Sequence, residues 1–334
     1  MTLWQGLVLG LVQGLTEFIP ISSTGHVTVA GRLLGLVDAG RPEQWTAFLA
    51  VVQLGTLAAV LAYFAGDIRR IIVGFVRANA AAVAARRGPH SFATAGSGQR
   101  PSPLRGEGWQ DPSPRPGGGP VNALRVGRGE GRRWLVASEE DRRWAKLGWM
   151  VLAGTVPIAA LGLALEGTIE GGLTKNLWVI AGSLIGVAVV LWVAEAVGRR
   201  ARDMAGLRWW DAVVVGLCQV ASLIPGASRS GTTIAGGLFA GLTRETAARF
   251  SFLLAIPAIG ASGLYQLPEA LRSADVPVAT LVVAIAASAV SGWLAIAFLL
   301  RYLRRRSTLL FVVWRIGLGL ALIWLLASGR MAAQ

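Results

Sequence analysis

Five stretches of this chain, Trp45 to Phe64, Leu147 to Leu165, Leu177 to Ala194, Phe250 to Leu267 and Val276 to Leu300, contain no charged residue. Each is long enough to cross a bilayer, which takes roughly 17–25 mostly apolar residues. A sixth, Thr308 to Ala327, is interrupted only by Arg315. Backbone polar groups have no water to bond in lipid, so spans of this length must be helices. The chain therefore reads as an all-α integral membrane protein with six transmembrane helices. Composition agrees: 54% of the residues are hydrophobic and 15% charged, whereas soluble domains carry about 25% charged residues. The first residues, MTLWQGLVLGLVQGLTEF, have no basic region and run into Glu17, so they read as part of the folded protein rather than a cleaved signal.

A formal charge of +14 is of the size seen in nucleic-acid binders, but its distribution is not. Fifteen of the 32 Lys and Arg residues fall between Gly66 and Lys146, and two further clusters, Arg199/Arg200/Arg202/Arg208 and Arg301/Arg304/Arg305/Arg306, occupy other connections between spans. The alternating connections hold one basic residue each, Arg41, Lys175 and Arg272. That is the positive-inside pattern of a protein whose basic loops face the cytoplasm, and no nucleic-acid partner is implied. Cys218 is the single cysteine, which leaves a small packing residue and neither a disulfide framework nor a thiolate metal cluster.

From Gly88 to Gly131 the chain turns rich in Gly, Pro, Ser and Arg with no apolar period, as expected of a disordered cytoplasmic insertion; His90 lies in it. Two other apolar stretches, Leu3 to Thr16 and Ala212 to Pro225, are too short to span. Each is followed by a small-residue turn and a second short apolar stretch, Val27 to Leu36 and Thr232 to Leu242. Two re-entrant helical hairpins are predicted, and the single membrane domain, residues 1–334, divides accordingly. The first hairpin and first span cover 1–66, two spans 143–198, the second hairpin 209–243 and three spans 246–328.

The hairpins resemble each other. GLTEFIPISS, Gly14 to Ser23, aligns with QVASLIPGAS, Gln219 to Ser228, so that Ile19-Pro20 matches Ile224-Pro225 and Ser23 matches Ser228; downstream, FLAVVQ from Phe48 matches FLLAIP from Phe252. Two matches in one order indicate an internal repeat. Three spans between the repeats make it an inverted-topology repeat, in which broken helices meet at a buried site near the midplane.

Polar side chains concentrate at the two tips: Gln13, Glu17, Ser22, Ser23, Thr24 and His26 at the first, Ser228, Arg229, Ser230, Thr232 and Thr233 at the second. Ionisable residues inside apolar segments are functional by default. In PGASRSGTT, Pro225-Gly226 stops one helix and the next residues start another whose free N–H groups suit an anion. Arg229 adds a planar fork of donors for phosphate, and Ser228, Ser230 and Thr233 add hydroxyls. Glu17 lies one turn from Gln13 on the same helix face. Beside a diphosphate such a carboxylate is a ligand for a divalent cation, Mg²⁺ or Ca²⁺, or a general base, the alternative being an ion pair with Arg229 or Arg315. His26 suits proton transfer near neutrality, and Ser23, Ser228 or water is available as nucleophile. Arg315 requires a partner such as Glu17, Glu195 or substrate phosphate, with a structural ion pair favoured. Trp45, Tyr63, Trp178 and Trp192 are expected as interfacial anchors.

QGLTEFIPISSTGH, Gln13 to His26, and PGASRSGTT, Pro225 to Thr233, resemble the signatures of the undecaprenyl-diphosphate phosphatase family, the bacitracin-resistance proteins: Glu/Gln-x-x-x-Glu with a following histidine, and PGxSRSxxT. The resemblance covers the chain apart from the insertion. It implies inverted repeats with two re-entrant hairpins in the bacterial inner membrane, and a site open to the periplasm. There a polyisoprenyl diphosphate lipid loses one phosphate, which recycles the carrier for peptidoglycan synthesis. Carried over, the carboxylate positions fall on Gln13 and Glu17, the histidine on His26 and the PGxSRSxxT positions on Ser228, Arg229 and Thr233. Together with the reading of the residues themselves, the expected catalytic set is Glu17, Ser23, His26, Ser228 and Arg229, the expected substrate contacts are Gln13, Ser22, Gly226, Ser230 and Thr233, and Glu17 is the expected metal ligand. The first motif position is Gln13, leaving Glu17 its only carboxylate. A transporter of a phosphorylated or lipid substrate is the alternative from another class. GSLIG, Gly182 to Gly186, is a small-residue face able to pack within one chain or in a homodimer.

Overall fold

The computed structural model describes residues 1–37, 42–86, 137–170, 176–272 and 276–333. The expected insertion, Gly88 to Gly131, lies outside them. Among the described residues the chain is helical: α1 Leu3–Glu17, α2 Ser23–Leu33, α3 Pro42–Tyr63, α4 Ala65–Arg86, α5 Glu139–Ala164, α6 Glu166–Glu170, α7 Leu177–Val197, α8 Trp209–Val220, α9 Arg229–Phe239, α10 Arg244–Arg272, α11 Val278–Leu303 and α12 Leu309–Ala327. Six of these, α3, α5, α7, α10, α11 and α12, are long and apolar enough to cross a membrane, and they are the six expected. Helix α5 begins well before its apolar run because Ser138 and Asp141 form a capping box that starts the helix in charged sequence.

One element was not expected. The basic segment after Gly66 is helical as α4 up to Arg86, because Ile68, Ile71 and Phe75 recur on one side while Arg69 and Arg70 take the other. That apolar side lies on α5, with Ile71 and Phe75 against Gly148 and Gly74 against Asp141 and Trp144. Trp45 also departs from expectation. It is 4% exposed, stacked on Phe48, with its ring over Gly31, so it anchors α2 to α3 and not the protein to an interface. Trp178 and Trp192 do face outward. Cys218 packs against Gly236.

The sequence repeat is a structural one. Helices α2 and α9 are each 11 residues long and each is capped by a serine with positive φ, Ser22 at 78° and Ser228 at 73°. Each cap accepts from the N–H three residues on, Gly25 and Gly231, and each helix ends at a left-handed glycine, Gly35 and Gly241. The caps thus pair Ser22 with Ser228, one residue away from the sequence match of Ser23 with Ser228. Ile-Pro sets the sequence alignment, but cap geometry decides which serine starts the helix. The third helices of the two repeats, α3 and α10, pack antiparallel: Ala50 and Leu54 meet Gly263, Leu57 meets Gly260, and Phe64 meets Phe252. The repeats are therefore inverted with respect to each other.

Close helix approach replaces the hydrophobic drive that lipid cannot supply. Gly6, Gly10 and Gly14 of α1 lie directly on the backbone of α11 at Thr280, Ala284 and Ser288, and Gly216 of α8 lies on Gly154 of α5. At the end where α8 starts, Arg202 grips buried Asp211 with two hydrogen bonds and reaches the carbonyls of Gly206 and Ala240. Its bonding to Asp211 holds the Arg202 guanidinium above its usual pKa. These contacts fix the two turns that follow α1 and α8, and the turns meet in the interior.

Candidate active site at the meeting of two helix turns

The two turns are cross-linked by side chains. Ser230, in the first turn of α9, donates toward the carbonyls of Glu17 and Ile19, each at 3.2 Å. Thr233 is fully buried and holds α9 in place, bonding the Arg229 carbonyl at 2.6 Å and Ser251 of α10 at 2.5 Å. Both were expected to touch substrate; here they brace the two turns, and neither lines the cavity described below.

Glu17 is the centre of the cluster. It is 6% exposed, and one carboxylate oxygen accepts from Gln13 Nε2 at 2.7 Å and Ser23 Oγ at 2.6 Å. The other is ion-paired with Arg229. Glu17 is thus ion-paired with Arg229, and Gln13, Ser23 and Arg229 come together around it. Ser22 is buried as the α2 cap, and Gly226 takes φ 85° in the second turn, where Ser183 and Ile180 leave no room for a side chain.

Among the described residues the N–H groups of Ser23, Thr24, Ser228, Arg229 and Ser230 have no hydrogen-bond acceptor, as first-turn helix amides do not. Unbonded amides in the first turn of a helix are groups that suit an anion. Arg315, 0% exposed, lies beneath both turns. Its bonds go to carbonyls, at Ser183 and Leu184 of α7, Pro20 of the first turn, and Gly226 and Ala227 of the second. This corrects the expected ion pair: the remaining candidate, Glu195, is bound by Arg200, Arg244 and Thr308. Two guanidiniums and one carboxylate leave the centre with a positive excess suited to an anion.

A cavity of about 420 Å³ opens onto this centre, lined at its floor by Glu17, Ser23, Thr24, Gly226, Ser228 and Arg229. That volume is within the range of small-molecule sites, about 300–1,000 Å³. Its walls come from the beginning of α3, the end of α5 and the later half of α10, mostly apolar, with Gln53, Thr155 and Ser262 interspersed. These wall residues were not singled out in the sequence, although Gln53 and Gln266 are polar side chains within charge-free spans. His26 does not line this cavity. Its Nδ1 bonds the Ser22 carbonyl at 2.7 Å and its Nε2 accepts from Trp314 of α12 at 2.9 Å. A neutral ring with its proton on Nδ1 satisfies both bonds.

The donor set also fits a hard divalent cation. Among the described residues Gln13 Oε1 is buried without a partner, next to the Glu17 carboxylate, and oxygen ligands of this kind take Mg²⁺ or Ca²⁺ with substrate phosphates completing the shell.

A family model described as bacitracin resistance protein BacA matches residues 6–95 and 125–321. The chain belongs to the BacA family. The stretch that the BacA model leaves out, 96–124, falls within the Gly/Pro-rich segment. BacA-family similarity extends to whole proteins: the chain is 47% identical to an undecaprenyl-diphosphatase of Syntrophobacter fumaroxidans over 97% of its own length and 98% of that protein's. It is 41% identical to one of Myxococcus xanthus over 99% and 92%, and 40% identical to one of Chloroherpeton thalassium over the whole of both. The matched residues include both turns that meet at Glu17.

Proposed function

We propose that this chain is an undecaprenyl-diphosphatase of the bacterial inner membrane, removing the terminal phosphate of the lipid diphosphate and so returning the carrier lipid for peptidoglycan synthesis and opposing bacitracin. The observation that carries this reading is the hydroxyl of Ser23 bonded to Glu17 beside Arg229, at the floor of an apolar-walled cavity.

In this reading the lipid diphosphate enters with its terminal phosphate over the unbonded amides of the two turns. Arg229 exchanges part of its contact with Glu17 for phosphate oxygens, its planar fork matching their geometry. Glu17 then takes the Ser23 proton as Ser23 Oγ forms a bond to the terminal phosphorus. The bridging P–O bond breaks, and the lipid monophosphate leaves with the electron pair, taking the proton that Glu17 had accepted. Glu17 then takes a proton from a water whose oxygen bonds to phosphorus, the Ser23 Oγ–P bond breaks, and Glu17 returns that proton to Ser23 as inorganic phosphate leaves. The amides and Arg229 stabilise the charge of the transferring phosphoryl group. A divalent cation held by Glu17 and Gln13 Oε1 would neutralise diphosphate charge. His26 orients the first turn through the Ser22 carbonyl.

The topology goes with this reading. The cavity opens at the end where α3 begins and α5 and α10 finish, the end whose connections carry few basic residues, so it faces the periplasm by the positive-inside rule. The pairs α1–α2 and α8–α9 are then re-entrant, entering from opposite faces. Among the described residues Gly182 and Gly186 have open space where a side chain would stand, so the side of α7 that carries these two glycines is the surface we propose for a homodimer.

The test is phosphate release from an isoprenyl diphosphate by the purified protein, with and without chelator, for wild type, Glu17→Ala and Arg229→Ala. Release by the wild type, abolished in both variants, is expected. A folded wild type that binds the lipid with added Mg²⁺ and releases no phosphate would favour a carrier.

A further inference from the structure

We infer that Arg315 is a positioning residue for the reaction, fixing the strained serine caps of both turns from beneath so that their amides face the phosphate; the inference rests on the phosphatase reading above. A buried guanidinium without a carboxylate partner is costly inside a membrane protein, and Arg315 spends all its reach on backbone. Three of its five hydrogen bonds go to the turns: Pro20 before the first cap, Gly226 and Ala227 before the second. In a trans peptide the carbonyl of one residue and the N–H of the next point in opposite directions. Arg315 bonded to the Ala227 carbonyl at 3.0 Å therefore turns the Ser228 N–H away from itself, on the side where Ser228 lines the cavity. That N–H has no acceptor among the described residues.

The caps need such a hold. Ser22 and Ser228 have φ of 78° and 73°, a region that is unfavourable for a non-glycine residue and persists only when its surroundings enforce it. Helix α12 reaches both caps through consecutive residues. Arg315 bonds Pro20 and Ala227, while Trp314 bonds His26, which bonds the Ser22 carbonyl. Its remaining bonds, to Ser183 at 3.2 Å and Leu184 at 3.1 Å, tie the guanidinium to α7. The Ser228 N–H is thus oriented, and the two turns that carry the remaining donors are held, by a residue outside both turns and both sequence signatures, one that does not itself line the cavity.

Lysine at this place keeps the charge but presents one nitrogen where Arg315 presents a fork, so it cannot hold both turns. The experiment compares purified full-length wild type, Arg315→Lys, Arg315→Gln and, as a stability control on the same helix, Phe311→Ala. Each is measured for kcat and KM of phosphate release and for thermal midpoint. Expected are a kcat loss of about 100-fold in folded Arg315→Lys, the scale for a displaced oxyanion donor, and a KM within about threefold of wild type. Phe311→Ala should lower the midpoint by as much or more with kcat nearly unchanged. The inference is overturned by wild-type kcat in Arg315→Lys, by kcat falling in step with stability across all variants, or by failure of both Arg315 variants to fold, which would make the residue a folding element only. An inactive wild type would instead remove the phosphatase reading itself.

Discussion

The carboxylate of Glu17 and the guanidinium of Arg229, 212 residues apart in the chain, are ion-paired where the two helix turns meet. Both side chains are largely shielded from solvent, 3% and 15% exposed. Removing one partner of such a pair leaves an uncompensated charge and costs about 3–5 kcal/mol. Glu17→Gln is therefore expected to lower thermal stability and, by removing a general base, to reduce kcat by about 10²–10⁴-fold. The double variant Glu17→Gln/Arg229→Gln should recover stability without recovering activity. Full activity in the double variant would separate the pair from the chemistry.

Ser22 and Ser23 are neighbours with different duties. Ser22 caps α2, and Ser22→Ala should cost about 1 kcal/mol of stability with a modest loss of turnover. Ser23 donates to Glu17, and Ser23→Ala should remove phosphate release while leaving the thermal midpoint close to that of the wild type. Parallel thermal unfolding and phosphate assays distinguish them, and an active Ser23→Ala would transfer the nucleophile to Ser228 or water.

Much of this was legible in the sequence, because bilayer thickness sets span length and lipid forbids unpaired backbone. Hence the six spans, the two short interrupted pairs and the repeat were readable from apolar run lengths and two short motifs. What was not readable depends on partners distant in sequence. Helix α4 looked like a basic loop because arginines outweigh its apolar side until α5 covers that side. Arg315 looked like half of an ion pair because charge is visible in sequence and backbone carbonyls are not. The one-residue shift of the repeat arose at Ser22, whose positive φ no residue pattern announces. His26 belongs with the first motif in sequence, yet its ring reaches back to α12 and not into the cavity.

Glycine packing gives a contrast within one protein. A methyl group on Gly10 or Gly14 would collide with the backbone of α11, whereas one on Gly182 or Gly186 meets open space. Gly10→Ala and Gly14→Ala are expected to destabilise by about 1–3 kcal/mol, as overpacking does, and to disturb Glu17 at the end of α1. Gly182→Ala and Gly186→Ala should leave unfolding of the monomer unchanged. If they alter the oligomeric state in detergent, the GSLIG face is the dimer contact.

Gln13 tests the metal. Its Nε2 donates to Glu17 at 2.7 Å, and its Oε1 is buried without a partner among the described residues. Gln13→Glu replaces the donor with a second carboxylate beside the first. Like charges this close repel unless a cation lies between them, and the affinity of an oxygen site for Mg²⁺ or Ca²⁺ rises with its count of charged ligands. The variant should therefore bind Mg²⁺ about tenfold more tightly by calorimetric titration, retain activity when metal is supplied, and unfold at lower temperature than the wild type when metal is chelated. Unchanged affinity together with unchanged stability in chelator would mean that no cation sits between these two side chains, and that the positive centre formed by Arg229 and Arg315 carries the phosphate alone.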